Sequence, residues 1–322
     1  MEKTEKQAKP FVKWVGGKGQ LLSQIDSALP KRLFMGKEVT YIEPFVGGGA
    51  MLFYMLEKFQ NIKKAVINDI NKDLIIAYKT VRDNPKELIN RLKEIEIEYL
   101  ALNEEKRKEY FLEKRDLYNT KQLPEIENAS LFIFLNRTCF NGLYRVNSKG
   151  LFNVPFGKYA NPKICDEPTI LKDSKLLQKV EILNSDFENT INYIDGNTFF
   201  YFDPPYRPLN FTSSFNSYSK ESFNDDEQIR LKRFCDKITQ KECFLMLSNS
   251  DCKSVNPLNV FFDDLYSKYK IERVWASRSV NANSEKRGKL TELLISNFNN
   301  NKLIDLDYSF VAENQIYKYA NI

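Results

Sequence analysis

Val39-Thr40-Tyr41-Ile42-Glu43-Pro44-Phe45-Val46-Gly47-Gly48-Gly49 reads as a strand over Val39 to Phe45 that breaks into three glycines. A helical run from Ala50 to Phe59 follows. Ala65 to Ile67 reads as a second buried strand, ending in Asn68-Asp69. Strand, glycine turn, helix and strand form the opening of a doubly wound α/β fold. Strand signals return after about Pro168, at Val180 to Leu183, Thr198 to Phe202, Phe244 to Leu247, Ile271 to Trp275 and Leu290 to Ser296. Between the two sets, Lys72 to about Leu135 is helical in pattern and highly charged, with Pro85 and Pro124 as punctuation. Leu143 to Phe156 follows, where Asn147-Ser148-Lys149-Gly150 has the composition of a β-hairpin turn. The helix-rich segment therefore reads as an insertion into an α/β sheet.

A chain of 322 residues, 42% hydrophobic and 28% charged, is long enough for one large α/β core with an inserted subdomain. Its balance of 48 basic and 43 acidic residues permits a nucleic-acid partner without demanding one. The absence of histidine excludes Ser-His-Asp hydrolysis, Cys-His chemistry and imidazole acid/base work. The five cysteines are odd in number and contain no C-x-x-C pair, so neither a zinc site nor a disulfide framework is expected. Met1 to Lys9 lacks the apolar core of a signal peptide or anchor, and no apolar run approaches bilayer length, so a cytoplasmic protein is expected.

The sharpest chemical signal is Phe202-Asp203-Pro204-Pro205-Tyr206, placed directly after the apolar run Phe199-Phe200-Tyr201. Ligands of doubly wound sheets bind at the carboxyl ends of strands. Two consecutive prolines remove two backbone donors and stiffen the chain. A fixed carboxylate, fixed carbonyls and a flat aromatic face remain, which are the parts needed to hold a base amine. The exocyclic amine of adenine is a poor nucleophile because its lone pair is delocalised into the ring. If the Asp203 carboxylate and the Pro204 carbonyl accept its two protons, a pyramidal nitrogen is favoured, and Tyr206 offers a stacking face. A plain strand-to-turn exit is the competing reading, and the aromatic residue after the prolines weighs against it.

Glu43 to Gly49 is less specific, because glycines at a strand-to-helix turn suit a close-lying ligand or a tight structural turn equally well. Asp69, ending the next strand, suits ribose hydroxyls. No lysine-serine pair follows the glycines, which argues against a P-loop. In Phe11-Val12-Lys13-Trp14-Val15-Gly16-Gly17-Lys18, two glycines between an aromatic and a lysine suit a carboxylate-bearing ligand, and an arm packed on the core fits as well.

Taken in order, K-W-x-G-G-K from Lys13, E-P-F-x-G-G-G from Glu43, N-D at Asn68, F-N-G-L-x-R from Phe140 and D-P-P-Y from Asp203 resemble the Dam-type (D12 class) adenine methyltransferases, over Phe11 to Phe298. The resemblance implies a doubly wound, Rossmann-like methyltransferase sheet with an inserted helical target-recognition subdomain carrying a β-hairpin. Residues 1–71 and 169–322 would form the catalytic and cofactor-binding part, and residues 72–168 the DNA-reading part. It implies S-adenosylmethionine as methyl donor, held by Trp14, Gly16, Lys18, Phe45, Gly47, Asp69, Asp186, Phe187 and Asp203, and no metal. Asp203, Pro204 and Tyr206 would be catalytic. The implied substrate is N6 of a flipped-out adenine in a short specific duplex site, with GATC expected. The implied setting is a monomer in a bacterial or phage context, with no membrane partner and with a companion restriction endonuclease left open.

Reaching N6 requires the base to leave the stack, at a cost of a few kcal/mol. Arg145 suits guanine O6/N7 in the major groove, Phe140 suits a wedge in the vacated space, and Asn141 suits a base edge. The family's reading hairpin would also bring Leu143 and Pro155 to the groove, and the lysine before the tryptophan, Lys13, to DNA. Any one of these also fits a solvated surface residue. Late in the chain, Lys286, Arg287 and Lys289 suit phosphates or a solvated loop equally. Two other functions compete. A cytosine N4-methyltransferase more often carries serine before P-P-Y, so Asp203 counts against it. A DNA reader without turnover is opposed by the intact Asp203, Pro204 and Tyr206.

Overall fold

A computed structural model describes residues 8–209, 223–276 and 290–299. Its centre is β1 (Val39–Glu43), whose five residues are all buried, beside β4 (Thr198–Phe202), which is likewise buried throughout. Strands covered on both faces are near-continuous apolar runs, which is why both were visible in the sequence. The seven strands lie in the order β3 (Val180–Leu183), β2 (Ile62–Asn68), β1, β4, β5 (Phe244–Ser250), β7 (Leu290–Ser296) and β6 (Lys270–Ala276). The first five are parallel, while β7 runs antiparallel to both of its neighbours. Chain order runs outward from β1 in one direction and from β4 in the other, so the topological switch point lies between β1 and β4.

Some boundaries differ from the sequence expectation for identifiable reasons. β1 stops at Glu43 rather than Phe45, since Pro44 cannot donate to a ladder. β2 starts three residues earlier than expected because Lys63 and Lys64 are exposed at its entry and interrupt the apolar pattern. β5 continues three residues past Leu247 through Ser248, Asn249 and Ser250, which are polar yet buried.

Alternation along the strands separates two apolar layers. Tyr41, Phe199, Tyr201 and Met246 face one layer. It is built by α1 (Leu22–Ala28), α2 (Ala50–Lys58), α3 (Lys72–Asp83) and α7 (Glu167–Leu177) and continues into α4 (Pro85–Leu100), α5 (Glu104–Tyr118) and α6 (Glu125–Thr138). Ile42, Phe200, Phe202, Leu245 and Leu247 face the other layer, formed by α8 (Asp225–Gln240) and α9 (Phe261–Leu265).

The charged stretch after Lys72 thus resolves into separate helices punctuated by local signals. The Asn71 side chain accepts from Leu74 N at 3.1 Å to cap α3, Pro85 occupies the first turn of α4, and Asn103 accepts from Lys106 N at 3.0 Å to cap α5. α6 is buried on nearly every side. The hairpin after it has paired residues at Val146 and Phe152 and at Cys139 and Phe156, with Gly150 N donating to Asn147 O at 2.9 Å to close the turn. Among the described residues no helix is long and apolar enough to cross a membrane.

On α7, Asp173 is fully buried, and burial pushes its carboxyl up to about 9, with Asp166 and Glu57 acting in the same direction. The folded chain therefore keeps a proton that the unfolded chain releases near pH 4. Stability linked to this group is complete at low pH and is lost as pH rises towards 9. Asp173→Asn should melt higher than the native chain by an amount that grows between pH 5 and pH 8, reaching several degrees, since about 1 kcal/mol moves Tm by roughly 1–2 °C in a chain of this length. Thermal melts giving a pH-independent difference would discard this assignment.

Candidate active site

The carboxyl ends of β3, β2, β1 and β4 are neighbours along one edge of the sheet, and each ends in a residue singled out above. Buried Asn68 joins three of them. Its Nδ2 donates to Pro44 O at 3.1 Å and to Ser185 O at 3.0 Å, and its Oδ1 accepts from Ser185 N at 2.9 Å. Next to it, Asp69 is half-buried, and burial raises its carboxyl above the ordinary aspartate range. Its oxygens accept from Gly47 N at 3.1 Å and Asn71 N at 2.9 Å, so this carboxylate fixes the glycine turn as well as facing the edge.

The glycine turn is needed by protein neighbours. Gly47 has φ +48° and Gly49 +78°. A Cβ on Gly47 or on Gly48 would lie 2.9 Å from Trp14, and one on Gly49 would strike the Tyr78 hydroxyl. Trp14 is itself stacked on Tyr144, with ring centroids 5.6 Å apart. The N-terminal arm is thus packed on the core. Asn136 on α6 accepts from Lys13 N and donates to Lys13 O, both at 2.8 Å, and Arg137 donates to Phe11 O at 2.7 Å. The two readings of this arm are compatible, because the packing delivers Lys18 to the edge.

Lys18 is 4% exposed. Its ammonium lies 2.7 Å from Asp203 Oδ1 and 3.9 Å from Glu292 Oε2, donates to Gly16 O at 3.2 Å, and stands 4.4 Å from the centre of the Tyr206 ring. Tyr206 donates its phenol proton to Glu292 at 2.6 Å. Ser248 donates to Asp203 Oδ1 at 3.2 Å. Burial pushes the Asp203 carboxyl above its usual range, and Lys18 and Ser248 oppose that rise. Both bonds fall on Oδ1. Among the described residues no donor engages Asp203 Oδ2 or the buried Pro204 carbonyl.

Phe45 and Phe187 meet with ring centroids 5.2 Å apart, joining the β1 and β3 exits. Asp186 is ion-paired with Arg230, whose guanidinium also lies 4.4 Å from the Phe187 ring, so this carboxylate is already engaged by a cation. Three contributors escaped the sequence reading. Glu43 is 2% exposed and accepts from Tyr41 at 2.8 Å, Glu292 sits in β7, and Ile70 is 76% exposed directly after Asp69. An acidic residue closing an apolar strand was a usable signal for the first; nothing in the sequence tied Glu292 to Lys18.

The hairpin carries the remaining candidates. Phe140 is 52% exposed, unusual for so large an apolar ring, and its N–H donates to Pro155 O at 2.8 Å. Asn141 is exposed with φ +55°, Leu143 is half-buried and Pro155 exposed. Arg145 is exposed and held by the hairpin itself, donating to Asn153 Oδ1 at 2.8 Å and Asn153 O at 3.1 Å. Lys13 projects over the Tyr159 ring at 4.8 Å. Lys286, Arg287 and Lys289 lie outside the described residues.

Comparison with known proteins points the same way. A family model described as D12 class N6 adenine-specific DNA methyltransferase matches residues 14–280. The Type II methyltransferase M.MjaIII of Methanocaldococcus jannaschii is 51% identical, over 91% of this chain and 100% of the relative. The Type II methyltransferase M1.LlaDCHI of Lactococcus lactis is 39% identical over 93% and 99%. A DNA adenine methylase of Haemophilus influenzae is 33% identical over 89% and 92%.

The charge arrangement predicts an asymmetry. Lys18→Met leaves Asp203 and Glu292 together without a cation, whereas Asp203→Asn leaves Lys18 with Glu292. Breaking a buried pair in the first way costs about 3–5 kcal/mol. Urea denaturation should therefore show Lys18→Met to be much the less stable of the two, and equal losses would count against this account of the cluster.

Proposed function

The chain belongs to the D12 class N6 adenine-specific DNA methyltransferases, an enzyme family acting on adenine N6 in DNA, and on that premise we propose a donor, a target site and a role for each site residue. The proposed donor is S-adenosylmethionine, bound along the carboxyl edge of β3, β2, β1 and β4. Its chemistry suits the residues there. Asp69 has lone pairs beyond its backbone bonds to Gly47 and Asn71 for ribose hydroxyls, and exposed Ile70 with half-buried Phe45, backed by buried Phe187, offers apolar surface to a purine. Trp14, Gly16, Gly47 and Asp186 complete the proposed pocket, and the carboxylates around Lys18 suit a cationic ligand. When bound, such a sulfonium supplies an electrophilic methyl carbon; no metal enters the proposal.

One observation supports the catalytic reading above all: Asp203 Oδ2 and the Pro204 carbonyl are acceptors to which no described donor is bonded, on a turn whose Pro205 and Arg207 carbonyls are both engaged. The proposed roles are to accept the two amine protons and so concentrate the nitrogen lone pair, while Tyr206 stacks on the base from the face opposite Lys18. As nitrogen gains the methyl group it loses one proton, to Asp203 or to water.

For the DNA-reading part we propose residues 72–168, with Phe140 as wedge, Asn141, Leu143 and Pro155 at the groove, Lys13 beside them and Arg145 on a guanine. GATC is the proposed site. The relatives named as Type II methyltransferases support a companion restriction endonuclease, and we propose a monomer.

Purified chain should transfer label from S-adenosylmethionine to GATC-containing duplex, and Asp203→Ala should abolish transfer while the chain, though less stable, stays folded because Lys18 keeps Glu292 as counter-charge. Full turnover in that variant would remove the central role given to Asp203. Arg145→Ala should lower rates on the correct site more than on sites altered at the contacted guanine, by the roughly 1–3 kcal/mol of a bidentate contact. A matched set of single-base variants decides this: a uniform loss would make Arg145 a phosphate contact.

A further inference from the structure

The turn from Asp203 to Arg207 is poor in donors of its own, because Pro204 and Pro205 carry no N–H. It is held from outside, by the last three residues of β5 and the first turn of α8. Ser248 Oγ donates to Asp203 Oδ1 at 3.2 Å, and Ser250 Oγ donates to Arg207 O at 2.7 Å. Arg207 reaches back to Asp225, the first residue of α8, through two bonds of 2.7 and 2.9 Å.

Between these contacts runs a relay of two amides, Asn249 and Gln228, both 0% exposed. Asn249 Oδ1 accepts from Ser250 N at 2.8 Å and Arg207 N at 3.3 Å. With its oxygen occupied by two N–H groups, the Asn249 amide has one orientation, and its Nδ2 must donate. It does so to Gln228 Oε1 at 3.1 Å. That contact orients the Gln228 amide in turn, and Gln228 Nε2 donates to Pro205 O at 3.1 Å. Reversing either amide would set oxygen against oxygen in a dry interior, where unpaired polar groups cost most. The relay therefore transmits a fixed polarity from the end of β5 to the second proline carbonyl.

We propose that Gln228 and Asn249 are positioning residues for methyl transfer. By fixing the Pro205 carbonyl they set the Pro205–Tyr206 peptide plane; because the ring of Pro205 fixes its φ, the preceding peptide plane is held relative to it, which leaves the Pro204 carbonyl aimed at the amine. The proposal rests on the reading of Asp203 and Pro204 as the amine acceptors. Neither amide touches the reacting atoms, so the effect belongs to the chemical step, where a misplacement of about 1 Å costs on the order of a hundredfold.

The test uses the full-length chain with Gln228→Met, which keeps length and removes both bonds, and Gln228→Glu, which keeps an acceptor for Asn249 but faces Pro205 with oxygen. Asn249→Asp, which loses the donor to Gln228, guards against a variant that fails to fold. Single-turnover transfer should slow by about ten- to a hundredfold in each. Affinities for S-adenosylhomocysteine and for duplex DNA should match the native chain, a split that a general folding defect would not give. Rates equal to native overturn the proposal, and so does a parallel fall in rate and both affinities. Asp203→Ala is measured alongside. If it is inactive while the Gln228 variants are not, only the relay fails; if it too is active, the reading of the turn fails and the relay with it.

Discussion

A buried ammonium needs a counter-charge, and much of this molecule's edge is arranged around that need. Lys18 comes from the N-terminal arm, Asp203 from the end of β4 and Glu292 from β7, elements far apart in sequence that one cation brings together. Desolvating such charges costs several kcal/mol per ion, so the pair persists only because the arm is held in place by other means. Asn136 and Arg137 on α6 provide that hold, clasping the arm through its backbone. The charged centre and the helical segment are therefore mechanically one structure.

The same arm shapes the neighbouring turn. Trp14 lies so close to Gly47 and Gly48 that side chains there would collide with it, and Asp69 fixes the turn from the opposite strand exit. Trp14 also stacks on Tyr144, next to Arg145 in the hairpin, while the Tyr144 hydroxyl donates to Asp73 at the start of α3. Asp73 further accepts from Tyr118 and Lys121, so one carboxylate ties α3, the end of α5 and the hairpin together. The glycines are thus demanded by aromatic packing in the protein, and the surface left over is what faces a ligand.

Much of the fold was legible: Thr198–Phe202, a parallel strand covered on both faces, is a nearly pure apolar run, and the edge strand Val180–Leu183 and the antiparallel Leu290–Ser296 are apolar enough that all three were located to the residue. Reading failed where chemistry and burial part company. Ser248, Asn249 and Ser250 are polar in sequence and buried in the fold, because the donor-poor turn beside them needs their hydrogen bonds. Lys63 and Lys64 are charged yet belong to β2, because its entry lies at the exposed end of the sheet.

By itself the sequence determined the residue types of the centre: a carboxylate before two prolines and a tyrosine, a glycine turn after a strand, an acidic residue after the next one, and no histidine. Those are local facts of covalent structure and of apolar runs buried on both faces. Which oxygen of Asp203 is occupied, that Glu292 and Glu43 gather near Lys18, that Asp186 is already paired with Arg230, and that two amides orient the second proline carbonyl were decided only by the tertiary structure. Hydrogen bonds and ion pairs between residues tens to hundreds of positions apart leave no periodic trace in a chain. They exist only once the strand order has brought those positions to one edge.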